Sequence, residues 1–228
     1  MLKLGRWTDV LDGVWCDTLI SDPPYGESTH KGHGRVGTLS ADCAERKTLP
    51  YGAWSSGDVD VFVDSWSPRV RGWFCCLTSH DLYPAYRAAL ERNGRYVFAP
   101  VPCVIRGMSV RLQGDGPSSW TVWLVVARPR NKTFAGWGTL PGAYIVSRGS
   151  GDGASQMTGG KPLELMLGIV RDYSKAGDVV CDPCAGMATT GVASLSLGRQ
   201  FVGSEIDPAT HARAADRLAC PVQQDMFL

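Results

Sequence analysis

In the run Asp22-Pro23-Pro24-Tyr25, residue type and spacing point to chemistry. It follows the apolar stretch Leu19-Ile20, read as the end of a β-strand, and open α/β sheets bind ligands at the carboxyl ends of their strands. Two successive prolines lock the backbone there. They hold a carboxylate at Asp22, an exposed carbonyl at Pro23 and an aromatic ring at Tyr25 in fixed relation. Two acceptors for hydrogens beside a ring that stacks suit a planar base carrying an amino group. A proline turn capped by Asp is the plain alternative.

A second constellation lies toward the C-terminus. The run Val179-Val180-Cys181 ends in Asp182, and a tight Gly- and Ala-rich turn through Pro183, Cys184, Ala185 and Gly186 leads to a helix from Thr189 and Thr190. A strand, turn and helix in this order bring free backbone N–H groups and the positive end of a helix dipole to one point, a seat for a carboxylate or phosphate. The next short strand, Phe201-Val202-Gly203, ends near Glu205, where Rossmann-like sheets place an acid for ribose hydroxyls. A nucleoside cofactor is expected. Asp225 could accept from that cofactor's adenine amine or simply be solvated. Lys161 could contact the cofactor's carboxylate or merely precede the helix opened by Pro162.

The elements that must position these groups alternate. Apolar residues at helical spacing over 162–173 (Leu163, Leu165, Met166, Ile169, Val170) precede the strand at 179–181. Helices are read over 189–197 and 209–218, with the strand at 201–203 between them. The N-terminal half repeats the theme with strands at 17–21, 70–77, 95–105 and 120–127 and a helix at 82–92. Alternation of this kind predicts a mostly parallel α/β sheet in a single domain over 1–228. Two stretches resist assignment: 26–67, rich in Gly, His, Lys and Ser, and 132–160, with Phe134, Trp137, Tyr144 and many glycines. Long loops inside a compact domain are usually functional or disordered.

Composition limits the alternatives. With 228 residues, 44% hydrophobic, 20% charged and net charge +1, the chain has material for one sizeable core and lacks the signature of disorder. No apolar run approaches the ~18 residues of a membrane helix, and the N-terminus has no signal-peptide core, so a cytoplasmic protein is expected. The eight cysteines are dispersed, as in a reducing compartment; the only C-x-x-C, Cys181 to Cys184, has no second pair at zinc spacing and the four histidines are scattered, so no metal is expected. Charge is uneven: over 92–148 eight basic residues stand against the single acid Asp115. That predicts either a face for an anionic partner, nucleic acid being the usual one, or a solvated basic surface.

Taken with Lys161-Pro162-x-Glu164-Leu165, Gly177-Asp178-Val179-Val180-x-Asp182-Pro183, Thr189-Thr190-Gly191 and Phe201-Val202-Gly203-x-Glu205-Ile206-Asp207, the tetrapeptide resembles the motifs of the amino-group DNA methyltransferases. Catalytic block before cofactor block is the circularly permuted order of that family's beta class. The resemblance covers both ends of the chain, about 11–25 and 161–218. Two departures stand out: Cys184 replaces the usual Phe, and Ala188 replaces a glycine in the turn, adding a methyl where backbone approaches the cofactor.

The resemblance implies a Rossmann-like class I methyltransferase fold with a mostly parallel seven-stranded sheet and helices on both faces. S-adenosylmethionine is implied as cofactor and DNA as partner. Asp22, Pro23, Pro24 and Tyr25 become catalytic; Lys161, Asp182, Pro183, Cys184, Ala185, Gly186, Thr189, Thr190, Glu205 and Asp225 become cofactor-binding. The implied reaction is site-specific methylation of the exocyclic amine of adenine after base flipping. Alternatives are the N4 amine of cytosine, an RNA substrate, or a degenerate relative that binds nucleic acid without catalysis. The family places target recognition between its two blocks, here 132–160, so Arg128, Arg130, Lys132, Trp137 and Arg148 are candidates for DNA contact. The loop 26–67, with Lys31 and Arg35, either closes over DNA or is plain surface. So short a recognition segment implies loose or short-site selectivity, with a homodimer or a partner subunit as a means of extending it.

Overall fold

Apolar runs followed by helices long enough to cross back over the sheet pair as parallel neighbours, while runs without such helices between them pair antiparallel. The computed structural model describes residues 1–27, 52–107, 119–131, 136–147 and 160–219. Its strands are β1 (Leu2–Leu4), β2 (Thr18–Ser21), β3 (Phe74–Thr78), β4 (Arg95–Val97), β5 (Val101–Arg106), β6 (Thr121–Pro129), β7 (Tyr144–Ser147), β8 (Val179–Asp182) and β9 (Gln200–Glu205). Its helices are α1 (Trp7–Val10), α2 (Ser56–Trp66), α3 (Tyr83–Arg92), α4 (Leu163–Tyr173), α5 (Thr189–Ser196) and α6 (Pro208–Ala219).

These strands form one sheet in the order β1-β9-β8-β2-β3-β6-β5-β7, with β4 also on β6. Pairing is parallel from β1 through β9, β8 and β2 to β3, and again between β5 and β7; β6 runs antiparallel to β3, β4 and β5. The central strands β2 and β3 are buried along their whole length, as strands covered on both faces must be. Alternate residues serve opposite layers. Ile20, Cys75 and Leu77 pack with Leu165, Met166 and Ile169 of α4, while Leu19, Phe74 and Cys76 pack with Phe62 and Trp66 of α2 and Tyr86 and Leu90 of α3.

The expected mostly parallel class holds, with nine strands among the described residues rather than seven. The single strand read over 95–105 is two, because the register on β6 shifts by one residue between the Val97–Ala127 and Val101–Leu124 pairs. This is a bulge at Phe98-Ala99-Pro100, where Pro100 has no N–H to give the ladder. The Phe98 carbonyl accepts the Tyr83 hydroxyl at 2.9 Å instead.

Part of the stretch read as a long loop is the helix α2. Ser55 and Asp58 form a capping box at its start, Asp58 Oδ2 accepting the Ser55 amide at 2.8 Å, and these hydrogen bonds hold the Asp58 carboxyl below its usual pKa. Val59, Phe62, Val63 and Trp66 form its buried face. Within 132–160, residues 144–147 form β7, and Tyr144 donates to Asp172 Oδ2 at 2.8 Å.

The basic stretch is not one face. Arg95 is buried at 3% exposure, donating to Ser67 Oγ, Ser67 O, Gly72 O and Val70 O, and burial lowers its guanidinium pKa to about 10. It ties the connector before β3 to β4. Arg92 is exposed and pairs with Asp60 and Asp64 of α2. Two of the eight bases are therefore spent on the fold.

Among the described glycines, Gly203 marks a close backbone approach between β8 and β9. A Cβ at Gly203 would stand 2.8 Å from the Asp182 carbonyl oxygen and 2.7 Å from the Phe201 ring. The ring could shift; the backbone carbonyl of a paired strand could not without moving β8. Gly203→Ala should therefore lower stability by about 2 kcal/mol, seen as a melting temperature roughly 4–8 °C lower. A melting temperature unchanged from the parent would disprove this packing.

Candidate active site

Parallel pairing of β2, β3, β8 and β9 brings their carboxyl ends to one edge, and the residues that follow those ends build the site. Asp22 follows Ser21, the last residue of β2, and its side chain is 23% exposed. Both of its oxygens are engaged: the Tyr25 hydroxyl donates to Oδ1 at 2.9 Å and the Lys161 ammonium to Oδ2 at 2.6 Å. The same ammonium lies 4.9 Å from the centroid of the Tyr25 ring. Backbone contacts fix the turn: the Tyr25 carbonyl accepts the Trp54 amide at 3.0 Å, and the Gly26 amide donates to Ser79 Oγ at 3.2 Å. A Cβ at residue 26 would stand 2.4 Å from Asp81 Oδ2, so a larger residue there would require the exposed Asp81 side chain to move. Among the described residues no donor reaches the carbonyl of Pro23.

Asp182, at the end of β8, is 1% exposed and faces inward. Its Oδ1 accepts Ser21 Oγ at 2.6 Å and the Cys184 amide at 3.1 Å, and its Oδ2 accepts Thr190 Oγ1 at 2.6 Å. Burial raises its pKa to about 6 against these bonds, which act to lower it. The carboxylate thus holds β2, the turn and α5 together, and at 1% exposure it is turned toward protein groups rather than solvent. Ser21 is a residue of this site that sequence reading missed; a hydroxyl one place before Asp22 was its signal.

The turn itself is open. Gly186 has φ of +51° and a Cβ there would meet nothing within 4 Å, so its backbone borders free space. Ala188, the residue before α5, is left-handed at φ 53° and fully buried. The Pro183 carbonyl accepts Ser204 Oγ at 2.8 Å and the Ala185 amide donates to the Ser204 carbonyl at 2.9 Å, fastening the turn to β9. Arg217 of α6 braces its far side by donating to the Met187 carbonyl. Thr189 and Thr190 are buried. Glu205, half-buried at the end of β9, takes the Asp207 amide on Oε1 at 2.8 Å. An open glycine turn, a helix N-terminus and this carboxylate at one edge fit a nucleoside cofactor with a carboxylate tail.

Burial pushes the Cys184 thiol well above its usual range, as it does Cys75, Cys76 and Cys181, and raises Cys103 to about 12, so none of these thiols is activated toward the thiolate. Among the described residues no group of three or more His, Cys, Asp or Glu is placed to hold a metal ion.

Of the residues read as DNA contacts, the described ones, Arg128, Arg130 and Trp137, lie away from Asp22. Because β6 runs against β3, Arg128 and Arg130 lie at the amino-terminal edge, where Ala127 pairs with Phe74, the first residue of β3. Strand spacing and rise put them roughly 15–20 Å from Asp22. Arg128 and Arg130 there flank the ring of Tyr96, at 5.2 Å and 5.6 Å. Trp137 is half-buried edge-on to Trp73 with ring centroids 5.6 Å apart. Arg106, which ends β5 at the edge of the site, is exposed. Lys31, Arg35, Lys132, Arg148 and Asp225 lie outside the described residues.

Sheet order and motif order define a class I methyltransferase fold, with the Asp22–Tyr25 segment ahead of the Asp182–Glu205 segment along the chain. The resemblance read from the motifs is borne out by comparison with known proteins: residues 108–216 match the model of the DNA methylase family N6_N4_Mtase. DNA adenine methyltransferase YhdJ of Escherichia coli (strain K12) is 45% identical over 47 residues, which is 21% of this chain and only 16% of that protein. The structure of M1.HpyAVI in complex with SAM superposes with a TM-score of 0.67 at 19% identity, covering 96% of this chain and 99% of that one. TTHA0409 of Thermus thermophilus, complexed with S-adenosyl-L-methionine, gives 0.64 at 18% identity over 97% and 94%. The cytosine-N4-specific PvuII DNA methyltransferase gives 0.67 at 13% identity over 98% and 88%. At such identities the likeness is one of fold. No described helix is long and apolar enough to cross a membrane.

Two measurements check the turn. The Asp182 pKa of about 6, against 3.8 when unfolded, means that burying its charge lowers stability above pH 6, and that this loss is relieved as the pH falls toward 4. Asp182→Asn carries no such charge. Its stability relative to the parent should rise by about 3 kcal/mol between pH 4 and pH 7 in denaturant titrations; a pH-independent difference would refute the buried charge. At Ala188, left-handed backbone costs about 1–2 kcal/mol for a residue with a Cβ, more than the ~0.8 kcal/mol of one buried methyl. Ala188→Gly should therefore be more stable by about 0.5–1 kcal/mol, and a lower stability would show that the methyl's packing wins.

Proposed function

We propose that the protein is an S-adenosylmethionine-dependent DNA methyltransferase acting on the exocyclic N6 amine of adenine. The observation that carries this reading is the acceptor pair at the mouth of β2, Asp22 and the Pro23 carbonyl, set beside the Tyr25 ring. Glu205 and the open turn at Gly186 stand at the same sheet edge. The turn and the N-terminus of α5 would take the cofactor's carboxylate, and Glu205 its ribose hydroxyls. When bound, the cofactor supplies an electrophilic methyl on a sulfonium.

A ring amine is a weak nucleophile because its lone pair is delocalised. Asp22 and the Pro23 carbonyl accept its two hydrogens, which turns the lone pair out of the ring plane and toward the methyl. The N–CH3 bond then forms as the S–CH3 bond breaks, leaving a thioether, and the extra proton on nitrogen leaves to water by way of Asp22. Positioning and electrostatics supply the acceleration, and no covalent enzyme intermediate is required. The target base must leave its stack to reach this mouth, and Tyr25 offers a ring for it.

Adenine is favoured by the short match to an adenine methyltransferase. Cytosine N4 is the second reading: its amine asks the same of Asp22 and Pro23, and a cytosine-N4-specific enzyme shares the fold.

Incubation with S-adenosylmethionine and unmethylated genomic DNA, followed by nucleoside mass spectrometry, should yield N6-methyladenine. Asp22→Ala should lower its rate of formation by about 10²–10³-fold or more. N4-methylcytosine would change the base and keep the chemistry, while absence of any methylated nucleoside would overturn the reading.

A further inference from the structure

Lys161 is placed where nothing in its own helix favours it. It precedes Pro162, the residue that opens α4, so the dipole of that helix offers a cation at this place in the chain no support. Its side chain is only 9% exposed, so it has also given up most of its hydration. Such a placement needs a compensating partner, and that partner is Asp22, 2.6 Å away and distant in sequence. With the Tyr25 hydroxyl on the other oxygen and the Tyr25 ring beneath the ammonium, the three side chains hold one another in a single arrangement.

We infer that Lys161 is a positioning residue for the catalytic carboxylate, fixing the rotamer of Asp22, and is not a ligand for the cofactor's carboxylate. The inference rests on the methyltransferase reading of the site. A carboxylate offers about four lone-pair positions; Lys161 and Tyr25 take one on each oxygen, so the carboxylate can accept an amine hydrogen without displacing either. Charge supports the same role. Asp182 and Glu205 end the strands on the other side of β2, so Asp22 stands among carboxylates, and the Lys161 ammonium is the cation that faces it among the described residues. Without that ammonium, the side chain of Asp22, anchored only through Tyr25, would be free to turn toward solvent.

The test uses the full chain with Lys161→Met and Lys161→Arg, each checked for an unchanged thermal unfolding profile. Lys161→Met should lower kcat for DNA methylation by about 10–100-fold, the loss that follows misplacement of a reacting group by about 1 Å. Its Kd for S-adenosylmethionine, by calorimetry, should change less than about twofold. Lys161→Arg, which restores the cation, should recover kcat to within about fivefold of the parent. In an Asp22→Asn background, Lys161→Met should have no further effect on the residual single-turnover rate, since its action passes through the carboxylate. A Kd for S-adenosylmethionine raised tenfold or more with kcat preserved would overturn the inference and return Lys161 to the cofactor. An undiminished kcat in Lys161→Met, or equal additional loss in the Asp22→Asn background, would overturn it as well. Failure of the methyltransferase reading is a different result: no methylated nucleoside from the parent protein.

Discussion

The buried carboxylate of Asp182 is the contact on which the site depends. A charge at 1% exposure is costly unless every lone pair that can be reached has a donor. Here the donors come from three separate pieces of chain: Ser21 on β2, the Cys184 amide in the turn, and Thr190 on α5. Satisfying one carboxylate therefore sets the strand that leads to Asp22, the open turn at Gly186 and the helix that follows that turn. Much of the assembly of this site is the solvation of one buried acid by protein groups in place of water.

That anchor works because the strands are parallel. Parallel pairing sends β2, β3, β8 and β9 to the same edge, so that Asp22, Ser79, Asp182 and Glu205 meet although 183 positions separate the first from the last in numbering. The close β8–β9 approach at Gly203 and the fastening of the turn by Ser204 keep the two acid-bearing strands in register. The left-handed Ala188 is the local strain that this tightness sustains. On the catalytic side, the Lys161 and Tyr25 contacts give Asp22 one orientation, and the prolines give its backbone another constraint independent of side chains.

Much of this was legible in the chain. The strands and helices around both motifs were read nearly to their ends, because they are runs of apolar residues closed by Gly, Pro or Asp. The helix α2 carries helical spacing in Val59, Phe62, Val63 and Trp66, but its polar Ser55–Asp58 start reads as loop until the two side chains meet as a capping box. The two-part strand at 95–105 was missed because a one-residue register shift is a property of the pair, set by β6, and not of the strand.

Residue types and local spacing thus determined the acceptor pair beside an aromatic ring, the glycine turn before a helix, the acid after the next strand and the α/β class, since each depends on neighbours a few positions apart. Tertiary structure alone decided which charges face which. It turned Asp182 inward, joined Lys161 to Asp22, spent Arg92 and Arg95 on the fold and carried Arg128 and Arg130 to the edge away from the site. The reason is that a side chain's partner is chosen by strand order, strand direction and burial, and these are fixed only when the whole sheet has formed.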